Sequence, residues 1–223
     1  MAKVHISPEI QDVIDLHPYL DDAAFRSLPI AEQFETQART LANAHAKGDR
    51  RVLMQIASWW PEAAGAEADT LMEKPFTMSD AQLTIAREHG FDDATKVAKL
   101  GDRRLQPEFG AALDALLRGE AGVLAEMLAA NPGLAFARSS FGHGATLLHY
   151  LGANGVETHR QVTPMNAVDL AQLLIEMGAD KAACVDMYGG GQTAYDLALT
   201  SKHPQMAGIA DDLCRILDPA CSS

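Results

Sequence analysis

The chain has 223 residues, enough for one or two domains with a substantial core. With 48% hydrophobic and 22% charged residues it has the composition of an ordinary globular chain, not a disordered one. Asp+Glu of 30 against Lys+Arg of 18 gives a formal charge of −12, which argues against a nucleic-acid surface, and no apolar run is long enough to cross a bilayer.

Helical signals dominate in chain order. Residues 1–28, with Pro8 and Pro18, read as a short helix plus extended pieces. Ile30 to Lys47 reads as a helix stopped by Gly48, and Arg51 to Trp60 as a shorter one ended by Pro61. Ala63 to Lys74 is small and acidic, a loop or a weak helix. Ser79 to His89 is predicted as a helix capped by Ser79 with Gln82 three residues on, and terminated at Gly90. Asp92 to Leu100 reads as another short helix.

From Pro107 the chain becomes a series of helix pairs. Phe109 to Leu117 and Ala121 to Ala130 flank the turn Arg118-Gly119-Glu120, and Asn131-Pro132-Gly133 breaks the second. Thr146 to Ala153, Ala167 to Met177, Thr193 to Leu199 and Ala207 to Leu217 follow. The expected fold class is all-α, a helix-pair solenoid with a helical N-terminal region. The expected division is a leader with an early degenerate repeat over 1–100, then repeats over 101–223.

Two kinds of repetition support this. His45 to Pro61 and Leu116 to Pro132 align in register, with basic-Gly-acidic, Val-Leu and Pro at equivalent places. The run Thr146-Leu147-Leu148-His149, closed by Gly178-Ala179-Asp180, has the pattern of an ankyrin unit of about 33 residues. The next opening, at Thr193, comes late, which places an insertion at about 156–165. Each pair cannot bury its apolar side alone, so Leu148, Leu173 and Leu197 are expected on one shared seam.

The chain resembles a bacterial group of ankyrin-repeat proteins with a helical leader. The resemblance rests on Ser79 to Phe91 in the leader, and on Gly144 to His149, Asn154 to Glu157, Arg160-Gln161, Thr163-Pro164, Asn166-Ala167, Tyr188 to Gly191 and Thr200 to Pro204. It spans about residues 35 to 217 and implies an interaction module. The group has Ser-Trp-Pro after the Gly-Phe, whereas this chain has Asp93-Ala94-Thr95. Replacing that Trp by Ala94 removes a large ring, leaving a cavity or a differently packed leader.

Two functions remain open. The first is a non-catalytic module that takes a protein partner on its rim, through Tyr188, Asp186 and the surface near His143. The second is an enzyme or small-molecule binder built on the polar insertion and the 200–204 loop. There Arg160 would anchor a carboxylate or phosphate, His159 and Gln161 would add contacts, and His203 with Glu157 would be the acid–base pair if there is chemistry. The bland alternative for the insertion is a solvated loop. His149 is expected to bridge backbone groups, and a ten-residue helix after Thr146 would hold His143 and His159 about 15 Å apart.

No HxxxH or CxxC spacing is present, so neither a metal nor a cofactor is expected. Tyr188 to Gly191 is neither a P-loop nor a dinucleotide fingerprint. Three cysteines (Cys184, Cys214, Cys221) are too few for a disulfide framework, and no apolar signal segment opens the chain, so a cytoplasmic location is expected. The C-terminus shows no obvious polar cap, so the last pair would be covered by the leader or by a second subunit in a homodimer.

Overall fold

The computed structural model describes residues 2–220; Cys221 and the Ser222–Ser223 tail lie outside the described residues. The architecture is mainly helical, with one two-stranded sheet among the described residues. The chain divides into two compact units. One is Pro8–Leu105; the other takes in Gln106–Ser223 together with Met1–Ser7.

The N-terminal strand β1 (Val4–His5) belongs to the second unit. The first unit then runs through α1 (Pro8–Leu16), α2 (Ala23–Arg26), α3 (Ile30–Ala46), α4 (Leu53–Trp59), α5 (Ala68–Glu73), α6 (Met78–Glu88) and α7 (Ala94–Ala98). Its core is laid down by α3 packing along α6, with α4 alongside, and is filled by Ile30, Leu41, Ile56, Leu71 and Ile85. The cap of α6 differs from the expected Ser79–Gln82 box. Thr77 is the N-cap: its hydroxyl accepts from the Asp80 N–H at 3.2 Å, and the Asp80 carboxylate accepts from the Thr77 N–H at 2.8 Å. A carboxylate is a stronger acceptor than the Gln82 amide and is favoured at the positive end of a helix. Gln82 instead donates to Glu35 on α3.

In the second unit α8 (Pro107–Leu117) and α9 (Ala121–Ala130) form a pair. They are followed by α10 (Leu147–Leu151), β2 (Thr163–Pro164), α11 (Ala167–Glu176), α12 (Ala194–Thr200), α13 (Lys202–Ala207) and α14 (Ala210–Leu217). Strands β1 and β2 are antiparallel, with Val4 opposite Pro164 and His5 opposite Thr163. Helix α10 packs on α8, α11 and α12, and α14 on α11, α12 and α13.

Three readings are corrected here. Leu148 and Leu197 are buried but Leu173 is half-exposed, and Leu174 takes its place. The inward face of α11 is Ala167, Leu170, Ala171 and Leu174, a 3.6-residue stripe that excludes position 173. The helix expected over Ala207–Leu217 begins only at Ala210, because Gly208 at φ +75° turns the chain left-handed, and a separate helix, α13, takes up most of the expected 200–204 loop. The end is also not bare: α14 buries Leu213 and Leu217 and exposes Asp211, Asp212 and Arg215, a polar outer face of its own.

The α10–α12 contact depends on Gly152. A Cβ there would lie 2.8 Å from the Leu197 Cβ and 3.1 Å from the Ala198 nitrogen. Gly152→Ala is expected to destabilise the unit by about 1–2 kcal/mol, since overpacking outweighs the gain in helix propensity. Urea denaturation checks this, and a more stable Ala variant would refute the close approach.

Candidate functional site

Thr146 opens α10, and its N–H donates to His149 Nδ1 at 3.2 Å, with its hydroxyl 2.8 Å from the same nitrogen. With Nδ1 accepting, the ring proton sits on Nε2 and donates to the Ala183 carbonyl at 3.0 Å. His149 thus ties α10 to the segment that follows α11. Burial pushes its pKa down to about 4, with the nearby Arg138 charge acting in the same direction.

Beyond Ala183 the chain forms a finger. Val185 and Gln192 make an antiparallel bridge, with Val185 N–H donating to the Gln192 carbonyl at 2.9 Å. Met187 is buried beneath the tip, whereas Tyr188 is 63% exposed and left-handed at φ +48°. Gly189, Gly190 and Gly191 complete the turn, and the Tyr188 hydroxyl donates to Asn154 Oδ1 at 2.8 Å. Asp186 is exposed on the same finger.

The insertion does not stand out in solvent. Helix α10 ends at Leu151, and the positive φ of Ala153 and Gly155 turns the chain. A five-residue helix cannot provide the separation expected of ten, so His143 and the segment after Gly155 come together. His143 accepts the Ala145 N–H on Nδ1 at 3.0 Å, which leaves its Nε2–H facing Glu157 Oε2 at 3.4 Å. The other Glu157 oxygen accepts from the Tyr150 hydroxyl at 3.1 Å. Glu157 is 2% exposed, and His143 and Tyr150 are buried with it. Burial raises the Tyr150 pKa well above its usual value, and the Glu157 charge adds to this.

Arg160 lies on a single 3-10 turn, Thr158–Arg160, and its guanidinium pairs with Asp114 on α8. Gln161 is buried and donates to the Val156 carbonyl at 2.7 Å. His159 is half-exposed on the same turn. His203 is buried in the first turn of α13, whose N-cap Ser201 accepts its N–H at 3.3 Å, and α13 packs against β2. The structure therefore joins Glu157 to His143 and Tyr150, a grouping the sequence did not predict. It also places His143 inside the unit, not on an outward surface, and replaces the solvated loop by a packed polar staple. The Tyr150–Glu157, Arg160–Asp114 and Gln161–Val156 hydrogen bonds offset part of the cost of burying it.

A second buried polar chain escaped the sequence reading. In the first unit His17 Nε2 meets Gln55 Oε1 at 2.8 Å, Gln55 Nε2 donates to Glu88 Oε2 at 2.7 Å, and His17 Nδ1 meets the Tyr19 hydroxyl at 2.8 Å. Burial pushes the His17 pKa down. These residues come from three separate elements, and no spacing in the sequence connects them.

Among the described residues no group of three or more His, Cys, Asp or Glu is placed to hold a metal ion, and no helix is long and apolar enough to cross a membrane. Cys184 and Cys214 are free thiols. Compared with known protein families, curated proteins and solved structures, the chain finds no match.

Proposed function

We propose that residues 106–220 form an ankyrin-type array of helix pairs that binds a protein partner through the finger carrying Asp186 and Tyr188. The observation that carries this reading is Tyr188 itself. A left-handed backbone costs a non-glycine residue about 1–2 kcal/mol, and an exposed ring recovers little of that by burial. Tyrosine is a residue that gains most when a partner covers it. The Thr146–His149 cap, the His149–Ala183 bridge and the matching Thr193–Asp196 cap on α12 support the repeat reading. The free thiols suit a reducing, cytoplasmic setting.

The geometry favours this over an enzyme or small-molecule site at Glu157, Arg160, Gln161 and His203. Each of the first three is engaged inside the fold: Glu157 accepts from the Tyr150 hydroxyl, Arg160 donates to Asp114, and Gln161 donates to the Val156 carbonyl.

The test immobilises the full chain, its Tyr188→Ala variant and its His203→Ala variant, and identifies what each retains from a native lysate. The proteins retained by the parent chain are expected to fall about tenfold on Tyr188→Ala, equivalent to about 1.4 kcal/mol, and to persist on His203→Ala. Equal retention by Tyr188→Ala, with unchanged thermal melting, would remove the finger from the binding surface.

A further inference from the structure

The first unit contains a cavity that the finger reading leaves unused. It has a volume of about 430 Å³ and lies between α3, α6 and α7. Phe34, Val97 and three alanines, Ala31, Ala94 and Ala98, supply its apolar wall. The Phe34 ring is held from behind by His89 at 4.3 Å and Phe91 at 5.8 Å between centroids, so the wall is formed before anything binds. The cavity is a cleft open to solvent on one side, and its volume lies within the range of small-ligand sites, enough for a ring with a short side chain.

The polar groups on the wall are weighted toward acceptors. Glu35 is a carboxylate and accepts only. Gln82 directs one amide N–H at Glu35 (2.9 Å) and keeps its carbonyl oxygen as an acceptor for a donor in the cavity. Thr95 directs its hydroxyl proton at Asp93, so its oxygen too is an acceptor. Arg39 reaches Glu35 at 3.2 Å along the helix surface, but both side chains are largely solvated and such a pair holds weakly. We infer that this cavity is a binding site for a small primary amine with an aromatic or aliphatic body: the ring lies on Phe34 and Val97, and the ammonium donates to Glu35 and Gln82. An anion of the same shape would face the like charge of the Glu35 carboxylate.

The experiment titrates the full, isotopically labelled chain with 2-phenylethylamine, 2-phenylethanol and phenylacetate, followed by amide chemical shifts. The amine is expected to saturate, with shifts confined to residues 31–35, 82 and 94–98, and to bind about fivefold more tightly than the alcohol, as befits a half-exposed carboxylate. Glu35→Gln should reduce the amine to the affinity of the alcohol. Ala98→Trp, or Ala94→Phe should the first variant not fold, should abolish binding of both. Phenylacetate or the alcohol binding as well as the amine would overturn the assignment. So would an unchanged amine affinity in Glu35→Gln, or no saturable shift with any of the three.

Discussion

Arg160→Met is expected to cost the protein about 3–5 kcal/mol, the usual penalty for stranding one member of a buried ion pair. The Arg160 and Asp114 side chains are each only 14% exposed. Without the guanidinium, Asp114 has lost its counter-charge, and Glu157 loses the cation whose field reaches it. The measurement is urea denaturation at pH 7 on the full chain. The double variant Asp114→Leu/Arg160→Met should recover most of the loss, because it removes both charges instead of one. A single variant within about 1 kcal/mol of the parent would mean that the pair behaves as a surface bridge. Recovery in the double variant would also speak against Arg160 as an anchor for an external carboxylate, since its fork is directed at one inside the fold.

Acidification from pH 7 to pH 4 should destabilise the protein by about 3 kcal/mol through His149 alone, at 1.36 kcal/mol per pKa unit. The sign follows from proton counting. Folded His149 titrates near 4, while the unfolded side chain titrates near its ordinary value of 6.5. Between these values the unfolded chain binds a proton that the folded chain does not, so stability rises with pH. The contribution is complete above pH 6.5 and is lost progressively as the pH falls toward 4. His17, lowered by burial, acts in the same direction below its ordinary value. Denaturation midpoints at pH 7, 6, 5 and 4.5 test this. His149→Gln should flatten part of the slope at the cost of lower stability at pH 7. A slope identical in parent and variant would show that His149 is not the group responsible.

Much of the helical pattern was legible because its signals are local. Asn131-Pro132-Gly133 marks the end of α9 and Pro107 the start of α8, and neither depends on what lies across the fold. The errors arose where a distant group decided the outcome. Thr146 to Ala153 reads as a full helix, yet α10 stops at Leu151, where close packing on α12 and the backbone reversal at Ala153 take over. The polar string Glu157 to Thr163 carries the composition of a surface loop. Tyr150, His143, Asp114, β1 and α13, all outside that string, make it an interior segment. Leu173 and Leu174 are identical residues in adjacent places, and only the phase of α11 distinguishes them. At the candidate site the residue types were visible in the sequence, but the grouping of His143 with Glu157 was not, because it depends on a helix that ends early.

The pairing of Val4 with Pro164 and of His5 with Thr163 sets an order on biosynthesis. The first strand leaves the ribosome long before its partner exists, so its edge waits while residues 8–105 are made and can fold. The second unit closes its sheet late, by bringing together segments far apart in the chain, a step that pays a large loop-closure entropy. A nascent chain arrested before Thr163 would therefore present an unpaired strand, the kind of exposed edge that chaperones bind.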